Sequence, residues 1–200
     1  MRRMWLTSDI HLDHTNCINF SNRPFKNIQE MEKTIVDNIN KVVKLNDVLI
    51  LVGDTCLGKK ESWVRFLDAL NTKNIIVIMG NHDKWANIPK DRVILVADSI
   101  RLKALNKNFL VSHYPYRVGW WRAFWRRLHP ATRSKQRPLD TGLWLLHGHT
   151  HHKVQMVDYH PRMLNVGVDA NDFKPISMDE IVSITQRRDS QAKIGNSSTR

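Results

Sequence analysis

Residues 74–83 read Asn74-Ile75-Ile76-Val77-Ile78-Met79-Gly80-Asn81-His82-Asp83: an apolar run of strand length that stops at a glycine and gives way to three polar side chains. The same pattern stands upstream, where Asp47 to Gly53 (DVLILVG) runs straight into Asp54. Neither run alternates apolar with polar residues, so both predict strands buried on both faces, as in a sheet covered on each side. Working outward, Asn27 to Lys44 carries Ile28, Met31, Ile35, Ile39, Val42 and Val43 at the spacing of an amphipathic helix. Glu61 to Leu70 does the same with Trp63, Phe66, Leu67 and Leu70, and Met4 to Ser8 predicts a first strand ending at Asp9. The first half therefore reads β-α-β-α-β. Beyond it, Val93–Val96, Ile100–Leu105, Phe109–Ser112, Leu143–Leu146, Val154–Tyr159 and Met163–Val168 are predicted strands. That order predicts an α/β fold: a mixed sheet, or two mixed β-sheets packed as a sandwich flanked by helices. From Arg187 to Arg200 the chain is polar without apolar periodicity, which predicts a frayed, disordered tail.

A chain of 200 residues is one domain, or one domain and a tail. No apolar run reaches the roughly 18–20 residues of a membrane span, so no stable membrane insertion is expected. Arg2 and Arg3 precede an apolar stretch, but Asp9 arrives too soon for a signal peptide; a cytoplasmic protein is expected. Cys17 and Cys56 form no CxxC pair, which excludes a thiolate zinc site and predicts two inert thiols. The net charge of +12 favours anionic partners: nucleic acid, nucleotides, phosphorylated metabolites or a membrane surface.

Nearly every predicted strand ends in a residue able to bind a metal. The ends read Asp9-Ile10-His11, Gly53-Asp54, Gly80-Asn81-His82-Asp83, Ser112-His113 and His147-Gly148-His149-Thr150-His151. In α/β sheets the carboxyl ends of strands face one crevice, where ligands bind. Asp, Asn and His together suit divalent ions from manganese to zinc. Packing that many ionisable groups together without cations would be costly in desolvation and repulsion.

The series DxH, GD, GNHD, H and GHxH, in this order over about residues 5–151, resembles the calcineurin-like metallophosphoesterase family. The flanking Arg23-Pro24-Phe25 and Asn165-Val166-Gly167-Val168-Asp169 are similar to a small phage and bacterial branch of it. The resemblance implies a β-sandwich flanked by helices over residues 1–186, with residues 117–137 as an insertion. It implies two divalent ions per chain, manganese first, with iron, nickel, cobalt or zinc also accepted. Asp9, His11 and His151 would hold one ion, Asn81, His113 and His149 the other, and Asp54 would bridge them. His82 would not bind metal but face the scissile ester and protonate the leaving oxygen. The implied reaction is hydrolysis of a phosphodiester or phosphomonoester by a hydroxide bridging the ions.

His14 and Arg23 are candidate substrate contacts, each weighed against an ordinary loop or surface role. His147 is expected to be a satisfied, partly buried strand histidine, and His152 and His160 to face solvent. Asp83 is expected to orient its neighbours and Asp169 to support the centre from behind. Tyr116 to Arg137 holds seven basic residues and no acid, interleaved with Trp120, Trp121, Phe124 and Trp125. Such a segment suits single-stranded nucleic acid, a membrane surface or a lid. Trp121, Phe124, Trp125 and Leu128 also recur at helical spacing, as a packed helix would. The charge favours a nucleotide or nucleic acid substrate. The alternative function is a scaffold that binds nucleic acid or a partner through residues 117–137, with catalysis absent or incidental.

Overall fold

The structure is a computed structural model and describes residues 2–117, 137–156 and 160–197. In chain order the elements are β1 (Met4–Thr7), α1 (Asn16–Phe20), α2 (Ile28–Val42), β2 (Val48–Val52), α3 (Lys60–Ala69), β3 (Asn74–Ile78), β4 (Leu95–Ala97), β5 (Ser99–Ala104), β6 (Lys107–Ser112), β7 (Trp144–His147), β8 (Met163–Asn165), β9 (Ile176–Ser177) and α4 (Met178–Ser197). One sheet has the order β4-β3-β2-β1-β9 and the other β5-β6-β7-β8. In the first, β1 to β4 run parallel and β9 antiparallel; in the second, β5 and β6 are antiparallel, and β6, β7 and β8 parallel. Both sheets are mixed, as expected.

The two core clusters explain why the runs at 48–52 and 74–78 do not alternate. Side chains of a strand point to opposite faces in turn. Leu49, Leu51, Ile75 and Val77 face one way, into a core with Met31, Ile35 and Ile39 of α2 and Trp63, Phe66 and Leu67 of α3. Ile50, Val52 and Ile78 face the other way, onto Phe109, Val111, Leu146 and Leu164 of the second sheet. Each face therefore needs its own apolar set, and the sheets pack as a sandwich. Helix α2 begins where Asn27 accepts a bond from the Glu30 amide at 2.9 Å, while Glu30 reaches back to the Lys26 amide at 2.8 Å.

Two expectations are corrected. Val154 to Met156 form no strand, and 157–159 lie outside the described residues. Val154 is exposed, and the segment meets β8 through the bond from the Asn165 amide to the Gln155 carbonyl. The tail expected from Arg187 is instead helix as far as Ser197, so the domain boundary expected at 186 falls inside α4. Ile181 and Val182 dock the start of α4 in the core between the sheets. Further along, Asp189 accepts a bond from Trp144 Nε1 and pairs with Lys107, and helix propagates through a polar segment once its first turns are packed. The Trp/Arg-rich stretch 118–136 lies outside the described residues. Cys17 and Cys56 are free and buried. Among the described residues, no helix is long and apolar enough to cross a membrane.

Asp47 ties three elements together at the start of β2. It accepts bonds from the Arg3 amide at 2.9 Å, Trp5 Nε1 at 3.1 Å and the Lys44 amide at 3.0 Å. Burial works to raise its pKa, but these bonds outweigh that and hold it below 3.8. Asp47→Ala is expected to cost about 2 kcal/mol in urea unfolding at neutral pH. Because the folded pKa is depressed, the contribution is full above 3.8 and lost as pH falls through the lowered value, so variant and parent converge in acid.

Candidate metal centre

The sheets bring the carboxyl ends of β1, β2, β3, β6 and β7 to one edge, and all the candidate ligands meet there. Donor atoms of Asp9, His11 and His151 lie within 4.8 Å of one another, and so do those of Asp54, His113 and His149. Asp54, a member of the second group, also approaches His11 of the first. Its Oδ2 is 3.2 Å from His113 Nε2 and 3.9 Å from both His11 Nε2 and His82 Nε2. Asn81 Oδ1 lies 3.3 Å from His113 Nε2, and His11 Nε2 lies 3.1 Å from His151 Nε2. His82 joins His11 and Asp54 in a third group of donors, although its side chain is about one-third exposed at 35%.

The backbone is bent to make this possible. Asp9, His11, Asp54, His149 and His151 all have left-handed φ, from 49° to 71°. Such conformations are unfavourable for residues with a Cβ and persist where surrounding bonds over-determine them. Here the Asp9 amide bonds the Gly53 carbonyl and the His11 amide the Asp54 carbonyl, both at 3.0 Å. The His149 amide reaches both Asp9 oxygens at 2.9 and 3.0 Å, and the His82 amide reaches Asp54 Oδ1 at 2.8 Å. Close approach also decides two glycines. A Cβ on Gly80 would stand 2.2 Å from Asp54 N and Oδ1, and one on Gly148 would stand 2.3 Å from Asp9 Oδ2.

The imidazoles are oriented from behind. His113 Nδ1 donates to the Val52 carbonyl at 3.0 Å, which leaves Nε2 facing Asp54. His151 Nδ1 donates to Asp169 Oδ2 at 2.9 Å, which leaves Nε2 toward Asp9 and His11. A ring whose far nitrogen is tied to a carbonyl or carboxylate is the usual state of a metal-binding histidine.

Burial and mutual charge shift the titration of the clustered groups. Burial raises the Asp9 carboxyl and pushes His11 down to about 2 and His149 to about 3. Burial also works against charge on His113 and Asp54, but their mutual bond prevails, raising His113 to about 9 and holding Asp54 below the usual carboxylate range. Divalent ions would let both carboxylates stay ionised beside neutral imidazoles. Carboxylate oxygens, an amide oxygen and imidazole nitrogens suit manganese, iron, nickel, cobalt or zinc, so the donor set fits the expected group.

Two of the peripheral residues, Arg23 and His160, sort differently from expectation. Arg23 does not face substrate: its side chain is fully buried. Its guanidinium bonds both oxygens of Asp169 at 2.9 and 2.8 Å, the Asp9 carbonyl at 2.7 Å and the Ile10 carbonyl at 3.2 Å. A buried guanidinium needs such partners, and none is left over for a phosphate. His14 does reach the centre, with Nδ1 3.1 Å from His11 Nδ1. His147 is buried and bonds the Gly148 carbonyl at 2.8 Å. Asp83 takes the amides of Thr55, Cys56 and Gly80, and so orients the strand ends around Asp54. His152 is exposed, whereas His160 is half-buried against Tyr116 and Asp140. Two residues carry no motif signal and are found only in three dimensions: Ser21, whose Oγ lies 3.1 Å from His151 Nδ1, and Phe20, whose ring lies among His11, His14 and His151.

A family model described as calcineurin-like phosphoesterase matches residues 2–170. An uncharacterized protein of Methanocaldococcus jannaschii is 33% identical over 94% of this chain and 93% of its own. The Gene 66 protein of Mycobacterium phage L5 is 27% identical over 92% of this chain and 94% of its own. The crystal structure of a protein of unknown function from Aquifex aeolicus superposes with a TM-score of 0.69 at 29% identity, covering 92% of this chain and all (100%) of that one.

Proposed function

Because the chain belongs to the calcineurin-like phosphoesterase family, and with it to the metal-dependent phosphoesterases, we propose that it holds two divalent ions around Asp54 and hydrolyses phosphomonoesters or phosphodiesters, nucleotides or nucleic acid first among them. Asp9, His11 and His151 would hold one ion, Asn81, His113 and His149 the other, and Asp54 would serve both. The observation that carries this reading is the pair of adjacent donor groups, with the buried Asp54 carboxylate of one also approaching His11 of the other. When bound, the ions supply an activated water and offset charge on the phosphate oxygens. We take manganese first for such a mixed oxygen and nitrogen donor set, with iron, nickel, cobalt or zinc also accepted.

The chain's own residues do the rest. Asp169 and the Val52 carbonyl hold the rings of His151 and His113 with Nε2 inward. His82 has its amide fixed on Asp54 while its ring reaches the partly exposed side of the cluster. An imidazole there can pass a proton to the departing alkoxide. His82→Ala is expected to lower kcat on the order of 10²-fold with the ion content unchanged. A fall in ion content instead would make His82 a ligand, as its place beside His11 and Asp54 also permits.

The deciding experiment strips the metal and restores manganese, nickel, zinc or magnesium in turn. Hydrolysis of p-nitrophenyl phosphate and bis-p-nitrophenyl phosphate is then followed. Metal-restored turnover supports the proposal, and the diester-to-monoester ratio narrows the substrate. Absence of turnover with every ion, together with binding of fewer than two ions per chain, would overturn it.

A further inference from the structure

Phe20 is an exposed phenyl group placed at a polar centre, with no packing reason to be there. It stands at the end of α1, 57% exposed, and belongs to none of the packed apolar clusters. Its ring neighbours are imidazoles: His151 at 5.4 Å and His11 at 6.1 Å, both edge-on, and His14 at 5.5 Å. The backbone beneath it is held firmly. The Ser21 amide bonds the Cys17 carbonyl at 3.1 Å, Cys17 is buried in the core, and Ser21 Oγ touches His151. On the far side of the cluster Tyr114, half-buried, packs edge-on against His113 and His149, each at 5.0 Å. The candidate centre thus has an aromatic ring at each flank, and the one beside His11 and His151 is open to solvent.

Leaving a phenyl group in water forgoes the stabilisation of burying it. The side chain regains that stabilisation if a flat apolar group covers it when substrate is present. An anion held at the ion cluster would carry its ester group past this ring, and a base or other aromatic ring stacks on phenyl without needing specific hydrogen bonds. From this placement we infer that Phe20 is the platform for a planar aromatic group on the phosphate ester, so that the substrates are nucleotides or similar aryl-bearing esters rather than sugar or polyol phosphates. The inference rests on the phosphoesterase reading and narrows it to a substrate class.

The test uses the full chain loaded with manganese and two matched pairs of esters. Adenosine 5′-monophosphate and ribose 5-phosphate both leave through a primary ribose 5-oxygen and differ chiefly by the base; their methyl diesters form the second pair. Wild type is expected to prefer the base-bearing member of at least one pair by about tenfold or more in kcat/KM. Phe20→Ala is expected to bring that ratio close to one, Phe20→Trp to keep it, and Phe20→Leu to behave as Ala. A ratio is insensitive to the fraction of protein folded. An unchanged ratio in Phe20→Ala overturns the inference, and so does Phe20→Leu matching Phe20→Trp, which would mean apolar contact without stacking. If wild type cleaves p-nitrophenyl esters but shows no preference for the base, the phosphoesterase reading stands and this inference alone fails. If it cleaves neither set with any ion, both fail.

Discussion

Asp54→Asn is expected to lower kcat on p-nitrophenyl esters by about 10⁴-fold or more, and to lower the metal content below two ions per chain. The side chain is buried and central, with Oδ2 3.2 Å from His113 Nε2 and 3.9 Å from His11 Nε2. Asparagine keeps the size and can still accept the His82 amide, which now bonds Oδ1 at 2.8 Å. What it lacks is the charge that both ion sites would share, and each ion is asked to supply several kcal/mol of transition-state stabilisation. Removing one shared anion therefore weakens both sites at once, where loss of an outer ligand such as Asn81 would weaken one. Steady-state kinetics with metal analysis by mass spectrometry checks this. Two ions retained with more than a tenth of the activity would show that Asp54 does not bridge.

Arg23→Met is expected to destabilise the fold by about 3–5 kcal/mol, the usual cost of stripping one partner from a buried ion pair. The Asp169 carboxylate would lose the guanidinium 2.8 Å away, and the carbonyls of Asp9 and Ile10 would lose a donor. Burial tends to raise Asp169, and bonds from His151 and Arg23 outweigh it, so its pKa lies below 3.8. The sign follows: a depressed folded pKa stabilises the native state above 3.8 and loses that contribution as pH falls through the lowered value. The penalty of the variant is thus largest near neutrality and shrinks in acid, where Asp169 takes up a proton. Urea melts across pH measure both. In the double variant with Asp169→Asn, part of the stability is expected to return, while metal affinity stays about 10–100-fold weak because His151 has lost its orienting carboxylate. Stability loss below 1 kcal/mol in the single variant would contradict the pairing.

The strands that carry the centre were legible in the sequence to within a residue or two. For β2 and β3 the reason is physical: a strand covered on both faces must be apolar throughout, and the pattern DVLILVG or NIIVIM has few other uses. Two-residue β9 and five-residue α1 left no such trace, since neither is long enough to show a period. The helix beyond Arg187 leaves no pattern for a related reason. Its own residues are mostly polar, without an apolar period, and Asp189 ties it to Trp144 and Lys107 of the second sheet.

By itself, then, the sequence determined the layered α/β class and the row of metal-competent residues at strand ends, because both are written in local patterns of a few residues each. Only the tertiary structure decided which of those residues meet and what stands behind them. Arg23 looks like a surface residue beside Pro24 and Phe25, yet its partner Asp169 lies 146 positions away. His151 is likewise set by Asp169 and faces His11 across 140 positions. Phe20 has no motif at all. Partner choice, burial and ring orientation depend on contacts that exist only once the chain has closed on itself, and no local pattern encodes them.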